Sequence, residues 1–353
     1  MSIKGAMNYS FTAAIISTLK SYMLNSEDYE ALLKSTSVKD FYNILEKTSY
    51  RIFLSKTYEE KEAENLERRL YEDYINTLNK IYRVCPQISL KMVDAIRLKH
   101  ELHSLKMILR ALISELDTKY ALQLVIPIGK YSPDVCKSIL ESKSIQIAIE
   151  NVEEPDLRRA LIDIFKQQRE SIVSYLLEAT IDRYSLTKIW RSLLPEPDRV
   201  ARRIVGTMTD FSNIMFVLRS KYLDLEADIV HSFIIPVYRY FPPSQLDKVI
   251  GAPTTRDAMR LLNQGYYGKL ISQPSLGSET TALSEIETIF DRYLAQECLY
   301  SFQGYRFHAG LIISYLTLKF NEISDISAIL FGKVNKVPVD TIRRKLILHQ
   351  HIS

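Results

Sequence analysis

ELHSLKMILR (101–110), DFSNIMFVLR (210–219) and EISDISAILF (322–331) are three versions of one phrase, and their shared pattern decides the fold. Each opens on an acid: Glu101, Asp210 or Glu322. Apolar residues follow at matching offsets, Leu102/Phe211/Ile323, Leu105/Ile214/Ile326, Ile108/Val217/Ile329 and Leu109/Leu218/Leu330. Successive residues of an α-helix turn by about 100°, so Leu102, Leu105, Ile108 and Leu109 stand at about 100°, 40°, 340° and 80° from Glu101. That is one continuous apolar stripe with the acid at its edge. The copies start 109 and 112 residues apart. A helical phrase returning at that interval predicts an all-α repeat protein.

The register extends beyond the phrase. Arg110 matches Arg219, Pro127 matches Pro236, and Pro133 matches Pro242. A second block repeats as well: LLKSTSV (32–38) resembles ILESKSI (139–145), with VIGAPTT (249–255) more diverged. The first two follow Ser-x-Asp starts, Ser26–Asp28 and Ser132–Asp134. The copies divide the chain into repeats at 1–88, 89–197 and 198–304, with 305–353 completing the first. A first copy completed by the last segment predicts closure into a pseudo-threefold ring. Long helices are expected at 57–84, about 89–116, 155–193, 198–226, 279–303 and 309–332. The first of these opens on a capping box, Thr57–Glu60. Only ten of the 353 residues are glycine, which suits long helices better than a sandwich or a Gly-rich nucleotide fold.

Composition excludes several classes. Apolar residues at 46% can bury a substantial core, so the chain is not disordered. With 46 basic and 42 acidic side chains, the net charge of +4 does not by itself argue for nucleic-acid binding. Cys85, Cys136 and Cys298 are odd in number and lack a CxxC pair, which fits a reducing cytosol rather than structural zinc or disulfides. The opening MSIKGAMNYSF has no apolar core before a cleavage site, so no secretory signal is expected there. Apolar runs such as AGLIISYLTL (309–318) fall well short of the ~20 residues that span a bilayer.

The fragment KHELH (99–103) is the one candidate for metal chemistry. It is not HExxH, whose histidines sit four apart. His100 and His103 fall opposite the apolar stripe, where solvent-facing or interface positions are expected, and Glu101 points away from them. The other copies place Thr209 and Ser212, then Asn321 and Ser324, at these positions. Those are poor transition-metal ligands, so no metal is expected.

The recurring acids are different. An unpartnered carboxylate at the rim of an apolar face costs several kcal/mol, so Arg or Lys partners or helix-start N–H groups should compensate. Helix-to-helix anchoring is the expected role for Glu101, Asp210 and Glu322, with Arg110 and Arg219 closing their phrases; a partner contact is the other. No P-loop, GxGxxG, GxSxG or zinc spacing appears, so neither catalysis nor a cofactor or small-molecule ligand is expected. The 22 tyrosines recur at helical spacing, as in Tyr71, Tyr74 and Tyr82, and packing explains them better than base stacking. Arg343-Arg344-Lys345 suits the last turn of a helix.

With these repeats laid out, the chain resembles the C subunit of archaeal (A-type) rotary ATPases, whose V-type counterpart is the d subunit. The carriers are NYSFTAAIISTLKSYMLNSEDYEALLKS (8–35), LEKTSY (45–50) and SYLTLKFNEISDISAILFGKVNKVPVDTIRRKL (314–346). Lys99–Arg110 and Asp210–Arg219 resemble the family's D-x-x-N-L-K-x-x-x-R. Asp210 and Asn213 follow that pattern, whereas copy two has Glu101 and Ser104, copy three has Asp325, and Ser17 and Thr18 stand where arginine is frequent. The resemblance implies a funnel of three pseudo-threefold-related helical domains around a central cavity, peripheral on the cytoplasmic face of the membrane. It implies a non-catalytic component of the central stalk, with shaft subunits and the membrane rotor ring as partners and no nucleic acid. The rival reading is a helical-repeat scaffold or adaptor, one that could bind nucleic acid.

Overall fold

A computed structural model describes residues 3–54, 62–125, 129–167, 170–195, 198–271 and 279–349. The Thr57–Glu60 capping box and the Pro127 match lie outside them. The described residues form α-helices and two short 3-10 turns, with no strand. In order they are α1 (Ile3–Ser21), α2 (Ser26–Lys34), α3 (Val38–Leu45), α4 (Glu62–Val84), α5 (Leu90–Ile113) and α6 (Thr118–Leu124). Then come α7 (Pro133–Glu141), α8 (Ile145–Glu150), α9 (Pro155–Gln167), α10 (Glu170–Ser192), α11 (Arg199–Tyr222) and α12 (Ala227–Phe233). The last six are α13 (Pro243–Ile250), α14 (Thr255–Leu262), α15 (Gly268–Ile271), α16 (Glu279–Tyr300), α17 (Ala309–Val334) and α18 (Val339–Lys345). The helix expected over 155–193 is instead two helices, α9 and α10, packed on each other. The polar run Lys166-Gln167-Gln168-Arg169-Glu170 breaks the apolar periodicity there.

The chain forms two compact units. One comprises Met1–Leu90, Pro197–Ile204 and Glu287–Ser353; the other comprises Lys91–Glu196 and Val205–Ile286. In the first, α17 is surrounded by α1, α3, α4 and α18. Its sequence is apolar on nearly every face over Ala309–Leu318, as a fully enclosed helix requires. On α4, Leu66, Leu70, Tyr74, Leu78 and Ile81 recur every three or four residues and are buried. The second unit has its main apolar cluster around Leu102, Leu105, Ile108 and Leu109 of α5, closed by side chains of α7 to α10. All twelve stripe positions of the repeated phrase are buried, each burial worth about 1.5–3 kcal/mol.

Local chemistry sets the helix starts. Ser37, Ser144 and Thr254 hold matching places in the second repeated block. Each accepts a hydrogen bond from the backbone N–H three residues on, capping α3, α8 and α14. Ser26 lies inside α2; the cap is Asn25, in a reciprocal box with Asp28.

Residues 198–204 and 287–304, assigned by sequence to the third repeat, belong to the first unit. Asp198 holds the first of these segments there, because its carboxylate takes the N–H groups of Val200 and Ala201 at the start of α11 and that of Gly310 at the start of α17. A Cβ on Gly310 would stand 2.6 Å from Val200 Cγ1 and 2.8 Å from the Ala201 nitrogen. Gly310→Ala should therefore lower stability by about 1–3 kcal/mol in denaturant unfolding, through forced separation of the two helix starts.

Candidate functional site

The recurring acids are the best-supported polar centres, and the structure shows what each one holds. Glu322 of α17 is fully buried. Its Oε1 accepts the Leu24 N–H, just before the cap of α2. Its Oε2 accepts the Tyr50 hydroxyl at 2.5 Å and the Lys319 ammonium at 3.2 Å. Lys319 also donates to the Tyr50 oxygen at 2.8 Å and lies 3.7 Å from Asp73 of α4. Burial and the Glu322 charge both push Tyr50 well above the usual tyrosine range, so it remains a donor.

Asp210 of α11 repeats the arrangement in the other unit. It accepts the N–H groups of Arg239 at 3.0 Å and Tyr240 at 2.8 Å, and the Tyr267 hydroxyl at 2.8 Å. Burial raises its pKa despite these donors. Tyr50 and Tyr267 stand five residues after Leu45 and Leu262, the ends of the matching helices α3 and α14. That recurrence is legible in the sequence, although the expectations above, built on the acids, passed over both tyrosines.

One turn further along each helix is a second grip. Asn213 accepts the Ile235 N–H at 2.9 Å and donates to the Ile235 carbonyl at 3.0 Å. Asp325 accepts the N–H groups of Ile347 and Leu348, both at 2.8 Å. Each long helix thus fastens an extended strap that follows a short helix, α12 or α18. Of the expected partners, basic side chains or helix-start N–H groups, backbone amides of the straps and of the stretch before α2 supply most of the donors.

Glu101 is the exception. It is half-buried, and its Oε1 lies 1.9 Å from where a Cβ on Gly129 would stand, so a side chain there would require the Glu101 carboxyl to shift. Gly129 has φ +58°, which glycine adopts without strain. Burial raises the Glu101 pKa, while Lys130 and Arg97 pull it down. Lys130 in turn bridges Glu154 at 3.2 Å and Glu153 at 3.4 Å. No tyrosine takes the place of Tyr50 or Tyr267 here among the described residues.

Arg110 makes a two-pronged pair with Glu178 of α10 at 3.0 and 2.6 Å. Arg110 is 52% exposed while Glu178 is mostly covered, and with the guanidinium in solvent Arg110→Ala should cost about 1 kcal/mol of unfolding free energy. Arg219 lies within electrostatic reach of Tyr175, whose hydroxyl donates to the Phe216 carbonyl at 2.7 Å.

His100 is buried rather than solvent-facing, a correction to the expectation from sequence. Burial drives its pKa well down, and that of His103 to about 4, so both imidazoles are neutral. The helical wheel placed them opposite the stripe but could not show that this side of α5 is covered too. Among the described residues, no group of three His, Cys, Asp or Glu side chains could hold a metal ion. None of those helices is long and apolar enough to cross a membrane. The buried carboxylates Glu322 and Asp210 are taken up by backbone amides, a tyrosine hydroxyl and, at Glu322, the Lys319 ammonium, and this chemistry fastens backbone.

These features define an all-helical protein whose long helices hold straps through buried polar groups. A family model for the ATP synthase (C/AC39) subunit matches residues 12–345, and the chain belongs to that family. It is similar to the C subunit of the A-type ATP synthase of Methanocaldococcus jannaschii, 21% identical over 96% of this chain and 86% of the relative. The corresponding C subunit of Pyrococcus furiosus is 23% identical over 95% and 89%. That of Thermococcus onnurineus is 24% identical over 91% and 85%. Its place is that of an accessory subunit of the complex, not a catalytic one.

Proposed function

We propose that the chain is a central-stalk subunit that joins the rotating shaft of the ATP-hydrolysing or ATP-synthesising head to the membrane rotor ring. It carries torque for proton or sodium transport and sits peripherally on the cytoplasmic face. In this reading the repeats at 1–88 with 305–353, 89–197 and 198–304 form a pseudo-threefold funnel whose cavity receives the shaft. The observation that carries it is the pair of saturated anchors, Glu322 and Asp210, within a chain whose family membership spans 12–345. A spacer under torsional load needs its straps tied by buried, fully partnered groups that resist shear, and these acids provide that. Near-balanced surface charge suits faces that meet partners without permanent burial.

The test is a strain lacking the chain. ATP hydrolysis should persist in the head while ion pumping is lost, and affinity purification from membranes should recover shaft and ring proteins with the tagged chain. Normal coupling without the chain would overturn the proposal.

A further inference from the structure

We propose that Glu101, Glu153 and the Tyr131 hydroxyl form a docking site for an arginine side chain of a partner protein. All three residues belong to one compact unit. The other two recurring acids show what such a carboxylate takes when the chain itself satisfies it. Glu322 receives an amide N–H, a tyrosine hydroxyl and an ammonium, and Asp210 receives two amides and a tyrosine hydroxyl. Glu101 receives none of these. Among the described residues it has no hydrogen bond and no ion pair, and Lys130 and Arg97 attract it only through space.

A second polar group is left over in the same place. Tyr131 is 1% exposed, and its hydroxyl has no hydrogen-bond partner among the described residues. Burial raises its pKa, and the charges of Glu154, Glu101 and Glu153 raise it further, so the protonated hydroxyl lies within electrostatic reach of all three carboxylates. A buried hydroxyl without a partner is costly, and a ligand that supplies one relieves that cost.

Charge and geometry select the ligand. Lys130 is shared by Glu154 at 3.2 Å and Glu153 at 3.4 Å, and Arg97 pairs with Asp94 on its own helix, so the locality keeps an excess of negative charge. Among the described residues no group of three acidic side chains could hold a metal ion, which favours a cation that carries several donors over some distance. A guanidinium is that cation. It stays charged and presents enough N–H groups to fork onto the Glu101 carboxylate and still reach the Tyr131 oxygen. The Glu153 side chain, 74% exposed, is where an incoming arginine is met first. Glu101 is half-buried, so its attraction for the cation is screened less than on open surface. The inference does not depend on the stalk role.

The test is a nuclear magnetic resonance titration of the full chain, carrying isotope-labelled tyrosine, at low ionic strength. The probes are a blocked diarginine peptide and its dicitrulline counterpart, which keeps the shape and lacks the charge. The Tyr131 resonance should move to saturation with the arginine peptide and stay in place with the citrulline peptide. Glu101→Gln should weaken arginine-peptide binding about tenfold or more. Tyr131→Phe, read at the Gly129 amide, should weaken it about fivefold. Glu178→Gln, which removes an acid of α10 outside the site, should leave binding unchanged. The comparison of the two peptides needs only the wild type, so it decides the matter even where a variant fails to fold. A Tyr131 resonance that does not saturate, or that responds equally to both peptides, overturns the inference. So does full-strength binding in folded Glu101→Gln.

Discussion

Glu322→Ala should destabilise the chain by about 3–5 kcal/mol in denaturant unfolding, enough to consume much of a typical folding free energy. The expectation follows from what the truncation strands. Lys319, a nearly buried ammonium, keeps only Tyr50 and a longer contact to Asp73. The Leu24 N–H and the Tyr50 hydroxyl lose their buried acceptor as well. Each stranded neutral donor costs about 1–3 kcal/mol, and an uncompensated charge costs more. Glu322→Gln keeps one oxygen as acceptor and a similar shape, so it should cost less, about 1–3 kcal/mol. Changing Lys319 to Met alongside Glu322→Ala removes the stranded cation and should recover part of the loss. If the double variant were no more stable than Glu322→Ala alone, stranded charge would not be the cause.

The helical class was legible because burial imposes a period, and that period is written three times. Leu105, Ile214 and Ile326 reveal one element through spacing alone, and all three are buried. The acids were visible through recurrence, yet their partners were not. Leu24 meets Glu322 across 298 residues of sequence, and no local pattern announces such a contact. Nor does a backbone N–H leave any mark in the sequence, so straps held by amides are invisible where a lysine partner would show. Of the two expected kinds of partner, basic side chains appear as Lys319 at Glu322 and Lys130 near Glu101, and an N–H beside a helix start appears as Leu24 at Glu322. His100 was misplaced for a related reason: a helical wheel gives the primary stripe, but whether the opposite side is covered depends on tertiary neighbours.

The repeats are also unequal, and that inequality has physical content. The anchors at Glu322 and Asp210 share an acid, a tyrosine and backbone amides, whereas Glu101 keeps the acid and exchanges the tyrosine for a cluster of Lys130, Glu153 and Glu154. A half-buried carboxylate held without a tyrosine or amide donor is fastened by Coulomb attraction, which water and salt weaken. The same acid under a buried tyrosine is fastened by hydrogen bonds that salt hardly touches.

Asp210→Ala should accordingly cost about 3–4 kcal/mol, while Glu101→Ala should cost about 1 kcal/mol or less, measured side by side in urea. Without Asp210, the N–H groups of Arg239 and Tyr240 and the Tyr267 hydroxyl face a buried void. The turn that aims Tyr267 has little freedom to compensate, since a Cβ on the adjacent Gly268 would stand 2.0 Å from the Asn263 carbonyl oxygen. Tyr267→Phe removes one donor and leaves Asp210 with its amides, so about 1 kcal/mol is expected. In a cycle of Asp210→Ala and Tyr267→Phe, the second change should cost little once the first is made, because the hydroxyl then has no carboxylate to lose. Raising salt should reduce the effect of Glu101→Ala and leave that of Asp210→Ala unchanged. Equal costs for the two acids, or equal salt sensitivity, would mean that burial and hydrogen bonding do not set the strength of these anchors.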